Sequence, residues 1–500
     1  MKKIITICFA IFLGSLGCLK AEQLLGVNIT YRNIGINKFE IMYKVFTDKY
    51  FQGKLDTAIF KPITFKIISG NATVTNYPLL FKIDSINTGC INNIKMNPIY
   101  FYIDTVDLNL SKYSSIISSG NCRTYFTCKY PERFRGLKNM SASSYFSYAF
   151  INICNSNSNT SAKNNSDPFI NLCCNQPYFN NYSTKDETNF DSLSYSFIQP
   201  FKDFNSKISF SSGYSVNEQL DVYWPVGYDR LSGSNPKVNP PIGFFIDSST
   251  GDLAFTPTVC NAQYSIASET IEHQKNGSKY LEVGGFLNDF VLKVNECPDN
   301  NPPLLFGPYK YEVEAGKQLC FQITSDDKPF IPPPPAKTAP PDTVRLTWNR
   351  GIFGATFTIL DPKTRLQNGK FCWTSKVSQA SDIPYIFTVT AKDNSCPTNG
   401  FIVRTYSIKL NKPVNYISNS NPQNIIISPN PSPNGELNIS SNNFKFSEIA
   451  LFDISGKLLA NWNFEQTCNF SKDLSYLAYG IYYIKCKNGS EVFNFKWIRE

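Results

Sequence analysis

A single histidine, His273, stands in 500 residues. That scarcity excludes most chemistry that needs an imidazole: a Ser-His-Asp triad is closed to the chain unless His273 itself serves, and a zinc centre built on paired histidines is closed outright. His273 lies in Glu272-His273-Gln274-Lys275-Asn276-Gly277, which reads as an exposed hairpin turn. No Gly-x-Ser-x-Gly elbow, phosphate-binding Walker loop or zinc-protease motif occurs, and the adjacent pair Cys173-Cys174 lacks Cys-x-x-Cys spacing. Charged residues are few, at 17%, and the net charge of +9 is spread as single lysines. Without a Lys/Arg cluster there is no electrostatic footprint for nucleic acid. Beyond the first twenty residues no apolar run reaches membrane-spanning length. A glycosidase needs only two carboxylates about 5–10 Å apart, so a carbohydrate-active enzyme stays open as the alternative to a non-enzymatic protein.

What the chain does contain is aromatic and strand-like. Phenylalanine (40) and tyrosine (28) lift the aromatic share to 15%, with 31 prolines and few helical patterns, a composition that favours all-β modules. Met1-Lys2-Lys3, the apolar stretch Ile4 to Leu16 and the small residue Ala21 form a secretory leader over 1–21. Leu16-Gly17-Cys18 offers lipoprotein processing at Cys18 as a second route. Of fifteen cysteines, Cys8 and Cys18 fall in the leader and thirteen remain, which in an exported protein read as structural disulfides with at least one thiol left over.

Residues 22–167 read as one β domain. Val27–Arg32 and Lys38–Val45 alternate, with a turn at Asn33-Ile34-Gly35; Ile63–Ile68, Leu79–Ile83, Ile99–Val106 and Tyr145–Ile153 follow as strands, and Cys122 and Cys128 flank another. Asn155 to Asp167 is rich in Asn and Ser and reads as a mobile linker. Residues 168–298 and 299–411 then look like two copies of one pattern. Leu172-Cys173-Cys174 and Leu319-Cys320-Phe321 each lead to a Gly-led strand with an Asp turn, and to a long alternating strand capped by Cys-Pro. Cys320 and Cys372, on core strands of one module, are the expected disulfide. Pro332 to Pro335, with Pro340-Pro341, reads as a stiff polyproline loop. Residues 412–424 read as an exposed linker.

Asp191-Ser192-Leu193-Ser194-Tyr195, Asp247-Ser248-Ser249-Thr250-Gly251-Asp252-Leu253 and Asn301-Pro302-Pro303 together resemble bacterial cadherin-like and immunoglobulin-like modules of surface proteins. The resemblance implies tandem extracellular β-sandwiches that adhere or bind, with surface glycans or other cell-surface proteins as partners. A glycan-binding subunit is the alternative of the carbohydrate-active class. It also implies calcium at a module junction. Asp299-Asn300-Asn301-Pro302 is similar to a cadherin linker, and Asp299, Asn301, Asp326, Asp327 and Asp393 are the candidate ligands, against a reading of all five as turn residues. No other cofactor is implied.

The tail, 425–500, carries the sharpest pattern. Pro429-Asn430-Pro431, then Phe452-Asp453-Ile454-Ser455-Gly456-Lys457, then Leu477-Ala478-Tyr479-Gly480-Ile481-Tyr482, then a basic last strand from Phe493 to Arg499 occur in that order. Short apolar runs punctuated by Ser-Gly, Tyr-Gly and Asn-Gly turns make it a small all-β domain. The ordered motifs closely resemble the C-terminal sorting domain of the type IX secretion system of Bacteroidetes. The resemblance implies that Pro429, Asn430, Pro431, Asp453, Gly456, Gly480 and Tyr482 form the sorting motif, that the partner is the secretion machinery, and that the protein passes through the periplasm to be released or attached at the outer surface.

Overall fold

The computed structural model describes residues 23–48, 63–69, 72–87, 96–108, 122–141, 143–166, 170–186, 191–277, 279–297, 300–331, 341–395, 399–413, 425–442, 444–489 and 491–500. The leader, the polyproline run and nearly all of the expected linker at 412–424 lie outside them. The described residues are β throughout, and their helical elements are two 3-10 turns, Arg230–Ser232 and Val377–Gln379. The chain divides into two compact units, 1–411 and 412–500.

The first unit begins with the expected hairpin. Leu24–Gly35 pairs antiparallel with Lys38–Thr47, matching Val27 to Val45, Ile29 to Tyr43 and Tyr31 to Ile41. All six side chains are buried, because a period of two puts one row of each strand into the core. The turn sits at Ile36-Asn37, slightly later than Asn33-Ile34-Gly35, and Asn37 takes the left-handed conformation (φ 54°).

The boundary expected near residue 167 does not separate two sheets. One large sheet runs in the order Ala72–Asn76, Thr64–Ser69, Arg123–Tyr130, Tyr145–Asn152, Lys279–Asn295, Leu24–Gly35, Lys38–Thr47, Met96–Asp107 and Leu79–Asn87. Its spine is a long hairpin of Ala262–Asn276 with Lys279–Asn295, turned at Gly277. Phe286 enters the core built by the N-terminal strands, with Tyr31, Phe39 and Phe126. Phe290, Leu292 and Val294 enter a second core with Leu25, Phe46, Tyr178 and Phe255. Gly26 allows the two to meet: a Cβ there would stand 2.1 Å from the Phe290 ring. Residues 168–298 are therefore not a free-standing cadherin-like sandwich. Alternation identifies a strand but not its neighbour, and this pairing is made across more than 200 residues of chain.

Two buried polar clusters hold this body. Arg133 Nη1 donates to both Asp289 oxygens (2.9 and 2.7 Å) and to Ser265 Oγ, Nη2 donates to the carbonyl of Phe201, and both charged side chains are almost wholly out of water. Elsewhere, Glu272 Oε1 accepts from the Ala162 amide (2.9 Å) and Oε2 from Asn159 Nδ2 (2.7 Å). Asn155 to Ser166 is thus not a mobile linker: Asn159, Ser161 and Ala162 are buried, because this stretch supplies the donors that Glu272 needs.

Leu304–Asn411 forms a β-sandwich of two four-stranded sheets. One runs Leu304–Phe306, Gln318–Asp326, Gly369–Thr374, Thr356–Ile359; the other runs Lys310–Glu314, Phe401–Asn411, Ser381–Lys392, Arg345–Trp348. This is the immunoglobulin order, with the first strand divided between the sheets and its second half parallel to the last strand. Phe371, Phe387 and Tyr406 stack through the core at 4.3 and 5.2 Å. Cys320 and Cys372 are bonded and face each other on neighbouring strands of one sheet, not across the sandwich. The proposed copy at 168–298 uses different bonds, Cys173–Cys297 and Cys174–Cys260. Cys122 bonds to Cys154, and Cys128, placed within its strand, is a buried free thiol.

The second unit is a separate sandwich. Ile426–Ser428, Glu436–Ser440 and Asn469–Asp473 face Leu458–Thr467, Phe446–Phe452, Gly480–Asn488 and Glu491–Arg499. Its own core includes Leu437, Ile449, Leu451, Ile484 and Trp497.

Two outcomes follow from the buried charges. Asp289→Asn strands the Arg133 guanidinium, and urea unfolding of the body should show a loss of about 3–5 kcal/mol. Burial pushes the Glu272 carboxyl up to about 8, with Asp186 and Asp191 adding to the push, against about 4.3 in an unfolded chain. The folded value is the higher one, so this contribution is complete below about pH 4 and is lost as pH rises through 8. Melting temperature should fall from pH 5 to pH 9. Asp191, Asp327 and Asp393 tilt the same way, so the Glu272 share is the part of the slope that Glu272→Gln removes. An unchanged slope in that variant would refute the assignment.

Candidate functional site

Acidic residues converge at one end of the immunoglobulin-type sandwich. Asp327 follows Gln318–Asp326, Asp342 precedes Arg345–Trp348, and Asp393 follows Ser381–Lys392. The pairing of Arg345 with Lys392 brings the last two together. One carboxylate oxygen from each of the three lies within 4.8 Å of the others. Asp327 and Asp393 are buried and Asp342 is half-buried. Asp393 Oδ1 accepts from the amides of Gly400 (2.7 Å) and Ser395 (3.1 Å), and Oδ2 accepts from Asn300 Nδ2 (3.0 Å). Burial raises all three: Asp327 to about 7, with Asp393 and Asp342 adding repulsion, Asp393 to about 6, and Asp342 in the same direction. Arg365 partly offsets this, but its Nη1 donates to the carbonyls of Asp342 (2.8 Å) and Asp327 (3.5 Å), not to a carboxylate.

Of the residues expected here, the structure gathers Asp327 and Asp393 and leaves Asp326 and Asn301 aside. Asp326 precedes Asp327 in an extended chain, so the two side chains point to opposite faces; its Oδ1 caps the Asp327 amide at 2.8 Å. Asn301 donates instead to the carbonyl of Lys328 (3.1 Å). Asp299 lies outside the described residues. Sequence reasoning missed Asp342 and Asn300. Asp342 follows a proline-rich stretch of sequence, and nothing in its neighbours announces that the next strand lies beside Asp393.

His273 is not in a turn. It lies on Ala262–Asn276 opposite Ser192, and its Nε2 is 2.9 Å from Ser194 Oγ. The hairpin closes at Gly277, beyond it.

In the tail, the motif residues are structural contacts. Asn430 bonds to the last strand as a backbone would: its Oδ1 accepts from the Ile498 amide (2.9 Å) and its Nδ2 donates to the Lys496 carbonyl (2.7 Å). The carbonyl of Pro429 accepts from Trp497 Nε1 (3.2 Å), and Ser432, just after Pro431, donates its amide to Ile498 (2.8 Å). Asp453 Oδ1 gathers the amides of Ser455 (2.8 Å) and Lys457 (3.0 Å) and the Ser455 hydroxyl, and these donors hold its carboxyl below the usual range. Gly456 closes that turn at φ 82°, a conformation that suits glycine. Gly480 opens the strand on which Tyr482 packs against Trp497 (5.8 Å) and donates to the Ala478 carbonyl (2.7 Å).

A family model described as "Secretion system C-terminal sorting domain" matches residues 427–500. Residues 427–500 are a type IX sorting domain. The sorting domain marks the protein for export by type IX secretion to the cell surface or the extracellular space, and implies interaction with that machinery. No curated protein is significantly similar to the chain. Among solved structures, the complex of Dpr2 Ig1-Ig2 with DIP-Theta Ig1-Ig3 aligns at 10% identity and TM-score 0.18, covering 51% of this chain and 99% of that one. The ICAM-5 D1-D4 ectodomain fragment aligns at 8% identity and TM-score 0.19, covering 95% and 98%.

Asn430 makes two backbone-like bonds, and each is worth about 1 kcal/mol. Thermal unfolding of an isolated 425–500 fragment should show Asn430→Ala destabilised by about 1–2 kcal/mol. Wild-type stability in that variant would deny the side chain its role in fastening the last strand.

Proposed function

We propose that the exported protein is a non-enzymatic adhesion or ligand-binding protein, and that the β body ahead of the sandwich and the sorting domain makes the contact. The observation that carries this reading is the loop after Val222. Val226 and Leu231 stand fully in solvent, yet the loop that presents them is well ordered by its own contacts. Asp229 Oδ1 accepts from the Leu231 amide (2.9 Å), and Tyr228 donates its amide to the Pro225 carbonyl (3.0 Å) and its hydroxyl to the Gly233 carbonyl (3.2 Å). Trp224 packs at a tilt against Tyr228 (5.7 Å) and lies under the Arg230 guanidinium (5.0 Å). Gly243 makes room beneath: a Cβ there would lie 2.8 Å from the Trp224 ring. Apolar side chains held out in water beside Trp, Tyr and Arg have the composition of an interface centre.

The ligand class, surface glycan or cell-surface protein, is what the experiment resolves. The purified protein is applied to glycan and extracellular-protein arrays, and hits are titrated. The double substitution Val226→Asp, Leu231→Asp should weaken binding at least tenfold while leaving the melting temperature within about 2 °C, since both side chains are exposed. A hit whose affinity the double variant retains would move the contact elsewhere, and turnover of a glycan on the array would replace the binding reading with an enzymatic one.

A further inference from the structure

The acidic end of the sandwich contains more than acids. Two buried acceptors there have no partner, Oδ2 of Asp327 and Oδ1 of Asn300, on residues only 2% and 4% exposed. Native structures seldom leave such atoms unpaired, and each instance asks for an explanation. Asp327 Oδ2 belongs to the cluster itself; Asn300 borders it through Nδ2, which donates to Asp393 Oδ2 at 3.0 Å, and a half-turn of the amide would turn Oδ1 to the carboxylates. Gly400 keeps the space open: a Cβ would fall 2.4 Å from Asp393 Oδ2 and 3.1 Å from Asn300 Nδ2. Among the described residues no lysine or arginine forms an ion pair with these three carboxylates. The three carboxylates thus gather with a single guanidinium nearby, and Arg365 spends its Nη1 on the carbonyls of Asp342 and Asp327 rather than on a carboxylate.

The donor types point to a hard divalent cation, and the spacing accommodates calcium. Oxygens on opposite sides of a calcium ion stand about 4.8 Å apart, twice a Ca–O distance of about 2.4 Å, and the carboxylate oxygens here lie within that span. The set is entirely hard oxygen, with neither nitrogen nor sulfur for zinc. Magnesium keeps several waters and is seldom held in a cage supplied wholly by protein. We infer that Asp327, Asp342, Asp393 and the amide oxygen of Asn300 form a calcium site, with water filling the remaining coordination. Asn300 belongs to the connector entering the sandwich, and its carbonyl accepts from Gln176 Nε2 of the body at 2.5 Å. The ion would thus fasten body, connector and sandwich at one point. The inference holds whatever the exported protein binds.

The test uses the purified protein stripped of metal with a chelator, at pH 7.5. Calcium should raise its melting temperature by several degrees and titrate saturably by calorimetry, by mass action on the folded state; magnesium at equal concentration should do little. Asp342→Asn should weaken calcium binding at least tenfold. In chelator that variant should melt no lower than wild type, because it removes one of three like charges. Asp326→Asn, beside the cluster but outside it, should respond to calcium as wild type does. A wild-type protein with no saturable calcium response overturns the site, as does an Asp342→Asn variant that titrates like wild type. An equal response to magnesium overturns its assignment to calcium.

Discussion

A charge pair sealed from water organises the larger unit. Arg133 and Asp289 share a site with Ser265 and the carbonyl of Phe201. Beside them, Tyr145 stacks under the guanidinium (5.0 Å), donates to the Asp289 carbonyl (3.0 Å) and accepts from the Val27 amide (3.0 Å). Strands from five parts of the sequence meet at this one point. Apolar packing alone would let the long hairpin slide against its neighbours, because one aliphatic row resembles another. A buried ion pair allows one register and penalises the rest heavily, since either charge left alone is very costly.

The same requirement for polar satisfaction governs the joint between body and sandwich. Asn181 Nδ2 reaches Thr405 Oγ1 (3.1 Å) and Asp252 (2.9 Å), and Ser183 Oγ meets Thr388 Oγ1 (2.6 Å). Arg404 lies flat over the Phe179 ring, 3.4 Å from its centre. Directional bonds of this kind fix an orientation that a greasy interface would leave free. The free thiols Cys128 and Cys486 are buried, and burial raises both, Cys486 to about 12, so neither is a ready nucleophile while the fold holds.

How much was legible in the sequence follows the range of the interactions. The tail could be read because its motif is written in short runs in a fixed order, and one of them, the Asp453 turn, is complete in five residues. The hairpin of 24–47 was legible for the same reason, and the bond between Cys320 and Cys372 joins adjacent strands of one compact module. Three features were not legible. The sharing of one sheet by 24–152 and 262–295 depends on Gly26 meeting Phe290. The burial of Asn159 depends on Glu272, over a hundred residues away. The gathering of Asp342 with Asp327 and Asp393 depends on the pairing of Arg345–Trp348 with Ser381–Lys392. Polar composition marked 155–167 as a mobile loop or linker, but a buried carboxylate recruits polar residues as readily as water does.

The bond of Asn430 to Lys496 and Ile498 has a consequence in time. The Pro429–Pro431 corner opens the sorting domain, yet its amide partners arrive only with the strand that closes the sheet, and Trp497 supplies the indole that Pro429 awaits. A growing chain displays Pro429-Asn430-Pro431 some seventy residues before it can display their shape. A polypeptide interrupted before Trp497 can carry Pro429-Asn430-Pro431 in sequence without the bonds that hold that corner in shape, so the corner is complete only once synthesis has run through the last strand.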